Sequence, residues 1–497
     1  MTEKILFWVD SDELSFCLAY YLKKIQNYDF FALINTVDTP KKFHQTQKLV
    51  DFNQTWYYDD FVKHSNSFDL NYLKKFEEQY HIDLWTLAIN ERQFYKYNRY
   101  HAFSRDEILS ILSQECKLFE EILDECKPDF LITKETALHD NHLLYELCRK
   151  KGIKVLMWNP SKLSGRLEIS EQLNHIDNMP SLESIQSQNR SLSDLKNYLK
   201  TLGMSKQIKN YVTKHSNSKI QFLNAILKFI FLNNVSQKNF NYVGRSKFRV
   251  LSKEFILLLK DKYRKNFIDR NLLKIHTDDS PFVLLPLHQE PERSLLIASP
   301  FNTNQIETIR HIAKSLPINY KLFVKEHYAQ SLRNWREISE YKEILEIPNV
   351  FLIHPSISME KLIENSSLVI SVGGTASFEA AFFGKPSIVF VDMGFSFLSS
   401  VFKLNSLEEL RKTIIQALKI EVDVVELDKY VTILEKNSFE FDIFEFGLLS
   451  SNAFRHGGNL ANSEISISQM ELFLKNNKSI LEKLAYEYNK KIKSFTC

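Results

Sequence analysis

Residues 368–390 read LVISVGGTASFEAAFFGKPSIVF, and they form the clearest structural pattern in the chain. An apolar run leads into the pair Gly373-Gly374, and a helical spacing begins around Ala376. A second turn at 384–386, Gly-Lys-Pro, leads into another apolar run. The order strand, glycine turn, helix, strand predicts a unit of a parallel α/β sheet, because parallel neighbours need a crossover connection between them.

Strand and helix patterns alternate on both sides of this stretch. They predict a C-terminal Rossmann-like domain over residues 281–420. We expect its strands near 282–286, 321–325, 350–353, 368–372 and 387–391, and its helices near 304–315, 331–345, 358–365 and 376–383.

The first part of the chain shows the same alternation. A strand, a helix and a second strand are predicted over 4–35, and an amphipathic helix follows Ser104 over 105–125. The fold class predicted is α/β, with two Rossmann-like domains facing a cleft. The remaining boundaries follow: an N-terminal Rossmann-like domain over 1–170, a helical insertion and linker over 171–280, and a C-terminal helical extension over 421–497.

Composition places the chain among globular proteins. Of its 497 residues, 44% are hydrophobic and 25% are charged, and no apolar run approaches the ~20 residues that span a bilayer. The first residues, MTEK, lead directly into a strand-like segment without a secretory signal, so a cytoplasmic protein is expected. The net charge of +3 is too small to indicate a nucleic-acid partner. The 5 cysteines form no CxxC pair, which argues against a structural zinc site or a disulfide framework and indicates idle, buried thiols.

Basic residues crowd the stretch 245–274, where acidic residues are few. Such a stretch could make a peripheral contact with anionic lipid headgroups at the inner face of a membrane. The alternative is the solvated face of a connecting helix. The basic residues are Arg245, Lys247, Arg249, Lys253, Lys260, Lys262, Arg264, Lys265, Arg270 and Lys274.

The glycine turn carries the first candidate binding chemistry. Gly373 and Gly374 would let the backbone approach a ligand, and free N–H groups at a helix start favour phosphate. Thr375 and Ser377 could add hydroxyl donors, and Glu379 could accept hydrogen bonds from ribose hydroxyls. The alternative is a glycine pair that only makes a tight strand-to-helix turn, with Glu379 as an ordinary acid of the helix.

Two basic residues, Lys325 and His327, follow another predicted strand. Open α/β sheets bind ligands at the carboxyl edge of their strands, so this pair could neutralise a phosphate leaving group, and His327 could protonate it. The alternative is a surface lysine and a capping histidine. His288 and Arg293, which follow the strand at 282–286, could face the same cleft, or they could belong to an ordinary polar loop.

Polar side chains also follow two strands of the predicted N-terminal domain. They would line the opposite wall of the cleft and could supply a general base or a nucleophile, or they could be helix caps. These residues are Asp10, Asp12, Glu13, Glu135, His139 and Asp140.

Three segments of the C-terminal half together resemble a known family. Residues 368–390 are similar to the nucleotide-binding region of the GT-B-fold bacterial capsule polysaccharide biosynthesis proteins, which include Kdo transferases, and more distantly to that of UDP-GlcNAc 2-epimerases. The segment 282–292, FVLLPLHQEPE, resembles the family's strand and glutamine-proline region, although one residue separates Gln289 from the proline. The segment 322–328, LFVKEHY, resembles its lysine-histidine-proline motif, with Tyr328 in place of the proline.

The resemblance implies a GT-B glycosyltransferase that moves a sugar from a CMP- or UDP-linked donor to a surface or capsular glycan, either free or lipid-linked. Residues 129–166 resemble, more faintly, the N-terminal domain of surface-carbohydrate synthesis proteins. No metal or cofactor is required, because cationic side chains and a helix end can neutralise the leaving group. The donor would be held by Gly373, Gly374, Thr375, Ser377, Glu379, His288, Gln289 and Arg293, with Lys325 and His327 as catalytic residues at the leaving nucleotide.

Two other functions stay open on the sequence alone. A hydrolysing nucleotide-sugar 2-epimerase would act on a UDP-sugar without an acceptor, and a non-catalytic scaffold of a glycan-assembly complex would bind nucleotide without turnover. The sequence contains no GxxxxGK[ST] phosphate loop, GxGxxG dinucleotide fingerprint, GxSxG elbow or HExxH helix, which argues against those classes of site.

Overall fold

The computed structural model describes residues 2–94, 96–202, 226–227, 229–231, 239–274, 280–332, 334–455 and 463–496. Parts of the expected insertion and of the expected C-terminal extension, including Cys497, therefore lie outside the described residues. The described residues form two α/β domains, each built on one sheet.

Strands of the described residues belong to these two sheets. The N-terminal sheet contains β1 (Lys4–Val9), β2 (Asp29–Ile34), β3 (Gln54–Tyr57), β4 (Phe130–Lys134), β5 (Lys154–Pro160) and β6 (Arg166–Ser170). The C-terminal sheet contains β7 (Phe282–Pro286), β8 (Lys321–Lys325), β9 (Val350–Ile353), β10 (Leu368–Ser371), β11 (Ser387–Val389) and β12 (Val401–Lys403). A last short strand, β13 (Phe439–Glu440), returns to the N-terminal sheet.

The strand order in both sheets is that of a Rossmann fold. The N-terminal sheet runs β13-β6-β5-β4-β1-β2-β3, with β5 to β3 parallel and the β13 and β6 edge antiparallel. The C-terminal sheet runs β12-β11-β10-β7-β8-β9 and is parallel throughout. Each sheet extends outward from its first strand in both directions, which is the doubly wound order. The predicted fold class, α/β with two Rossmann-like domains, is confirmed.

Helices cover the faces of both sheets, as crossover connections require. In the first half they are α1 (Leu14–Ile25), α2 (Asp38–Thr46), α3 (Tyr58–Phe61), α4 (Leu70–Tyr80), α5 (Leu84–Asn90), α6 (Arg105–Cys126), α7 (His139–Lys150) and α8 (Leu192–Leu202). Helix α9 (Lys247–Asn271) precedes the C-terminal domain, which contains α10 (Arg293–Leu296), α11 (Gln305–Ser315), α12 (Ile338–Leu345), α13 (Met359–Asn365), α14 (Ala376–Ala381) and α15 (Leu410–Ala417). The chain ends with α16 (Val424–Asn437), α17 (Ile443–Phe454), α18 (Ile467–Asn476) and α19 (Lys478–Thr496).

Helix α6 shows how local sequence sets the bounds of an element. The Ser104 hydroxyl accepts the Glu107 backbone N–H at 3.3 Å, and the Glu107 carboxylate accepts the Ser104 N–H at 2.6 Å. This reciprocal capping box satisfies two amides that would otherwise lack partners at the helix start. The helix ends at Lys127, which has a left-handed φ of 44°, and Pro128 cannot continue it.

The central strands of each sheet are buried on both faces, so they read as continuous apolar runs rather than alternating ones. In β1, Leu6 and Trp8 pack into a core shared with helices α6 and α7. The alternate residues Ile5, Phe7 and Val9 pack on the opposite face of the sheet, against α1 and the end of the chain. The same two-sided burial in the C-terminal sheet leaves only strand ends and loops to carry polar chemistry.

The end of the chain completes the N-terminal domain. Strand β13 pairs with β6, and α19 lies along α1. The Tyr21 hydroxyl donates to the Leu474 carbonyl at 2.7 Å, and the Tyr28 hydroxyl donates to Asn489 at 2.8 Å. The described part of the expected C-terminal extension therefore packs on the first domain, after the chain has passed through the second.

The sequence-based bounds hold for most elements but not for the helix expected over 331–345. That helix begins at Ile338, and a short 3-10 helix occupies Tyr328–Leu332. Backbone groups ahead of Ile338 bond to side chains instead of to the backbone of a helix. For example, the Asn334 carbonyl accepts a hydrogen bond from the Gln330 side chain at 2.8 Å. The apolar spacing in this segment therefore predicts a longer helix than the one that forms.

The cysteines and the apolar character of the helices can be read from the described residues. Four of the cysteines are free thiols buried in the core, as expected: Cys17, Cys116, Cys126 and Cys148. No helix in the described parts of the chain combines the length and the apolar character that a bilayer crossing requires.

Candidate functional site

Loops after three neighbouring strands build the candidate site. Strands β10, β7 and β8 lie side by side, so the loops that leave their carboxyl ends meet at one edge of the sheet. The winding direction reverses between β7 and β10, and open α/β sheets hold ligands at such a switch point. The predicted residues lie in these loops or at the strand ends: Gly373, Gly374 and Thr375 after β10, His288, Gln289 and Arg293 after β7, and Lys325 and His327 at the end of β8.

The imidazole of His288 joins two of these loops. Its Nε2 accepts a hydrogen bond from the Gly373 backbone N–H at 3.2 Å, so its Nδ1 carries the proton and donates to Glu292 at 3.1 Å. The His288 backbone N–H is held by Gln305 at 2.7 Å. The buried ring is therefore fixed in one tautomer and one orientation beside the glycine turn.

The two glycines have different steric roles, and neither has a positive φ. A Cβ at Gly373 would lie 2.7 Å from Val391 Cγ2 and 3.1 Å from Met393 Sδ, so only glycine lets the turn pack against the loop after β11. A Cβ at Gly374 would lie 3.6 Å from His288 Cε1, which is an ordinary contact. Gly373 therefore serves the packing of the turn, while Gly374 borders the histidine.

The polar groups of the turn are divided between its surface and the core. Ser371 accepts the Gly374 N–H at 3.1 Å and bonds to the Ser377 hydroxyl at 2.8 Å, which places Ser377 beneath the turn. Thr375 is half-buried at the start of α14, and its side chain makes no capping bond. Glu379 lies in α14 with its side chain buried. Of the two predicted hydroxyl donors, Thr375 is the one at the surface.

His327 lies on the loop beside that of His288. Its Nδ1 accepts the Ala329 backbone N–H at 3.2 Å, so the neutral ring carries its proton on Nε2. Burial lowers the pKa of His327 and outweighs the opposing effect of the Glu292 and Glu326 carboxylates. The ring is therefore neutral near pH 7 and offers Nε2–H as a hydrogen-bond donor.

Lys325 and Gln289 make contacts within the C-terminal domain. The buried Lys325 ammonium donates to the carbonyls of Pro355 at 3.0 Å and Glu326 at 3.4 Å. Burial lowers the pKa of Lys325 to about 8. The Gln289 amide donates to the Ala329 carbonyl at 2.8 Å. Lys325 thus places a titratable positive charge behind the sheet edge, and Gln289 joins the two histidine loops.

A buried ion network fixes these two loops in place. The Arg336 guanidinium donates to Glu326 at 2.9 Å and to Glu290 at 2.6 Å. It also donates to the His288 carbonyl at 2.7 Å. The Glu326 carboxylate in turn accepts the His327 backbone N–H at 2.8 Å. One arginine therefore positions the loops that carry both histidines.

The loop after β7 also reaches the N-terminal domain. The Arg293 guanidinium donates to the Thr136 carbonyl and lies 3.6 Å from the Glu135 carboxylate. The Tyr97 hydroxyl donates to Glu290 at 3.1 Å. Thr136 follows β4, the strand next to β1 at the N-terminal switch point. The carboxyl edges of the two sheets therefore face each other across the domain interface, as predicted.

The opposite wall contains an acid pair and a lysine. The Lys134 ammonium pairs with Asp10 and lies 3.2 Å from Asp12. Burial and the charge of Asp10 raise the pKa of Asp12 to about 7, although Lys134 opposes them. For Asp10, burial is outweighed by Lys134, and its pKa is lowered. Asp12 is therefore the carboxylate that can take up a proton near neutral pH.

His139, another residue predicted for this wall, is held between two carboxylates. Its Nδ1 lies 2.9 Å from Glu91 and its Nε2 lies 2.9 Å from Glu115, and Tyr58 also bonds to Glu115. Burial alone would lower the pKa of His139, but Glu115 and Glu91 raise it well above its usual value. The imidazolium is therefore a buried charge of the core with no free lone pair for base catalysis.

The remaining predicted acids of this wall already have structural partners. Glu13 is buried 3.3 Å from His44, and Asp140 accepts from the Asn35 amide at 2.8 Å. Glu135 faces Arg293 across the domain interface. These contacts leave Asp12 as the strongest candidate base of the N-terminal domain.

Several residues that shape the site were not singled out from the sequence. Lys134 is the last residue of a strand, as Lys325 is, and this position marks it as a candidate site residue in the sequence. Arg336 and Glu91 lie in irregular segments. No strand-end position marks either of them, and only the folded chain brings them to their partners.

A group of potential metal ligands lies on other elements. His64, His101 and Glu107 offer ligand atoms within 4.8 Å of one another, and Glu107 Oε1 is hydrogen-bonded to both rings. Two histidines and a carboxylate are a ligand set that zinc and other transition metals accept. These residues belong to the start of α6 and the loops before it, and none of them lies in the loops of the candidate site.

No family model matches the chain, and no curated protein matches it either. Among solved structures it is similar to the KpsC β-Kdo 2,7 transferase of Thermosulfurimonas dismutans, at 10% identity and a TM-score of 0.32 over 83% of this chain and 98% of that chain. It is also similar to the UDP-GlcNAc 2-epimerase of Methanocaldococcus jannaschii, at 13% identity and a TM-score of 0.24 over 87% of this chain and 99% of that chain. Both enzyme classes named by the sequence resemblance thus occur among the similar structures.

Proposed function

We propose that the chain is a GT-B glycosyltransferase that moves a sugar from a CMP- or UDP-linked donor to a surface or capsular glycan acceptor. The observation that carries the proposal is the histidine pair at the switch point, where His288 bonds to the Gly373 amide and His327 lies on the adjacent loop. This edge of a doubly wound sheet is where nucleotides bind. The facing edge of the other domain supplies Asp12, a carboxylate suited to proton transfer near neutral pH.

In the proposed reaction, Asp12 takes the proton from an acceptor hydroxyl, and the acceptor oxygen forms a bond to the anomeric carbon of the donor sugar. The bond from that carbon to the phosphate oxygen breaks, and its electron pair leaves with the nucleotide. His327 Nε2–H donates a hydrogen bond to the departing phosphate, while the Lys325 ammonium adds positive charge from behind the sheet edge. The scheme needs no metal ion, because these groups stabilise the charge that develops on the phosphate.

The donor assignment is tested by a thermal-shift panel with CMP, UDP, GDP and their sugar conjugates. A ligand that binds the folded state raises its melting temperature by mass action, so at least one nucleotide is expected to stabilise the chain. His327→Ala and Glu379→Gln are each expected to reduce that shift, measured against the variant's own ligand-free melting temperature. His311→Ala, on α11 and outside the three loops, is the matched control. If no nucleotide stabilises the wild-type chain, the proposal is wrong.

Turnover separates the proposed transferase from its alternatives. With the stabilising donor, nucleotide release that requires an added glycan acceptor is expected. Asp12→Asn should abolish this release while leaving the nucleotide-dependent thermal shift intact, because Asp12 lies on the other domain. Release without acceptor, together with an altered free sugar, would identify a hydrolysing epimerase. Binding without any turnover would identify a scaffold.

A further inference from the structure

Helix α9 turns a row of large apolar side chains toward solvent. The helix is 25 residues long, and its buried residues are Val250, Arg264 and Ile268. Four apolar residues elsewhere on it, which we call the α9 stripe, are highly exposed: Phe248 at 84%, Phe255 at 63%, Leu259 at 57% and Tyr263 at 70%. A globular protein rarely leaves such a row in water unless it serves as a contact surface.

The four residues of the stripe lie on one face of the helix. Phe255, Leu259 and Tyr263 follow Phe248 by about two, three and four helical turns, so their side chains project in nearly the same direction. Val250 and Ile268 project from the opposite face, toward the protein. The stripe is therefore the outermost line of the helix and is not a poorly packed edge of the core.

Charge on the outward side of α9 is positive. The exposed Lys260 and Lys262 flank the stripe on its two sides. The acids of the helix are engaged with other groups: Glu254 accepts from Tyr100 at 3.3 Å, Asp261 accepts the Trp335 N–H at 3.3 Å, and Asp269 lies 2.6 Å from Lys265 and 3.0 Å from His354. A surface that presents aromatic rings and lysines together complements an anionic interface.

Helix α9 is also anchored to both domains. The Tyr100 contact with Glu254 joins it to the first domain, and Arg264 donates to the Trp335 carbonyl of the second at 2.7 Å. A contact surface on this helix would therefore hold both walls of the cleft at a fixed distance from whatever it touches.

We propose that the α9 stripe seats the protein on a bilayer that contains anionic lipid. Interfacial helices bury aromatic and aliphatic side chains at the boundary between headgroups and acyl chains, with lysines directed to the headgroups, and the α9 stripe has this arrangement. A second copy of the chain fits less well, because a two-fold contact through the stripe would bring the same lysines together. The inference does not depend on the transferase proposal, since it uses no residue of the candidate site.

The test is sedimentation with vesicles of phosphatidylcholine, with or without phosphatidylglycerol. The full chain is expected to bind the anionic vesicles, to bind the neutral ones weakly, and to lose affinity as salt is raised. The double variants Phe255→Ser/Leu259→Ser and Lys260→Glu/Lys262→Glu should each reduce binding about tenfold or more. Matched controls are Ile318→Ser, which removes a fully exposed apolar residue elsewhere, and Lys412→Glu/Lys419→Glu at α15, and both should bind as the wild type does.

Two outcomes would overturn the proposal. The first is a chain that does not bind anionic vesicles, or that binds them equally well in the stripe variants. The second is a dimer in sedimentation equilibrium that dissociates in Phe255→Ser/Leu259→Ser while vesicle binding is absent, which would assign the stripe to a second copy. An unchanged melting temperature in each variant shows that it is folded, and nucleotide-dependent thermal shifts in the same variants keep this result separate from the test of the transferase.

Discussion

At the scale of single residues, Lys325 couples the site to pH. Burial lowers its pKa from the ordinary value of 10.5 to about 8. Between these values the unfolded chain keeps the proton and the folded chain has lost it. The contribution of Lys325 to the free energy of unfolding therefore rises with pH in this window, because the unfolded state binds more protons. Affinity for an anion changes in the opposite direction, since the positive charge is lost as pH rises through about 8.

The loss of the Lys325 charge as pH rises should weaken nucleotide binding. The dissociation constant of the stabilising nucleotide should increase between pH 7 and pH 9 in the wild-type chain. Lys325→Arg should remove most of the increase, because an arginine stays charged throughout this range, and Lys325→Met should bind weakly at both values. Isothermal titration calorimetry measures all three. A wild-type dissociation constant that does not change with pH would show that this charge does not act on the ligand.

The glycine pair gives a second prediction at this scale. Gly373→Ala should lower the free energy of unfolding by about 1–3 kcal/mol, because its Cβ would overlap Val391. Gly374→Ala should have a much smaller effect on stability, since its Cβ would only touch His288. Urea denaturation measures both changes. Val391→Ala combined with Gly373→Ala should recover part of the loss, and equal losses at the two glycines would contradict this steric assignment.

At the scale of elements, the histidine loops depend on Arg336. Arg336→Ala should cost about 3–5 kcal/mol of unfolding free energy, because Glu326 and Glu290 would remain buried without their cation. Arg310→Ala, an exposed ion-paired arginine on α11, is the control and should leave the denaturation midpoint nearly unchanged. A second readout is nucleotide affinity, which should fall in Arg336→Ala at temperatures where the variant is still folded. If stability falls and affinity does not, the network is structural only.

The elements also show which parts of the fold the sequence could predict. Strands such as β1 and β10 were predictable, because burial on both faces requires a continuous apolar run of strand length. Residues such as His288 and His327 were predictable as candidates, because a parallel sheet brings every carboxyl end to one edge. The position of Arg336 was not, because its partners lie on loops far away in sequence and its own segment imitates a helix.

The pKa values of the titratable side chains could not be predicted from the sequence. Asp10 and Asp12 follow the same strand, yet their pKa values move in opposite directions. The difference comes from the position of Lys134, which only the folded sheet determines. Likewise, the sequence suggested His139 as a base, and its two carboxylate partners come from α5–α6 segments that carry no strand-end signal.

At the scale of the whole molecule, the N-terminal domain is discontinuous in sequence. Its second core face includes residues from the end of the chain: Met470, Phe473, Leu474, Leu481, Leu484, Ala485, Tyr488 and Ile492. A fragment of residues 1–175 should therefore fail to unfold cooperatively in urea, because one face of its sheet would lie uncovered. Adding a peptide of residues 463–496 should restore a cooperative transition measured by circular dichroism.

The matched control is a fragment of residues 160–437. The three core clusters of the C-terminal half contain only residues of this fragment, so it should fold without the rest of the chain. A cooperative transition in the 1–175 fragment alone would contradict this prediction, because it would show that the N-terminal domain folds without the C-terminal helices.

The returning C-terminus has a consequence for biosynthesis. A ribosome releases the first domain's strands early but the helices that cover α1 last, and at about 5–20 residues per second the roughly 300 intervening residues take about 15–60 seconds to make. During this time one apolar face of the N-terminal sheet is exposed in the nascent chain, while the C-terminal domain can already fold. The C-terminal domain, which is synthesised second, therefore completes its folding first. The exposed apolar face of the N-terminal domain makes that domain a natural chaperone substrate.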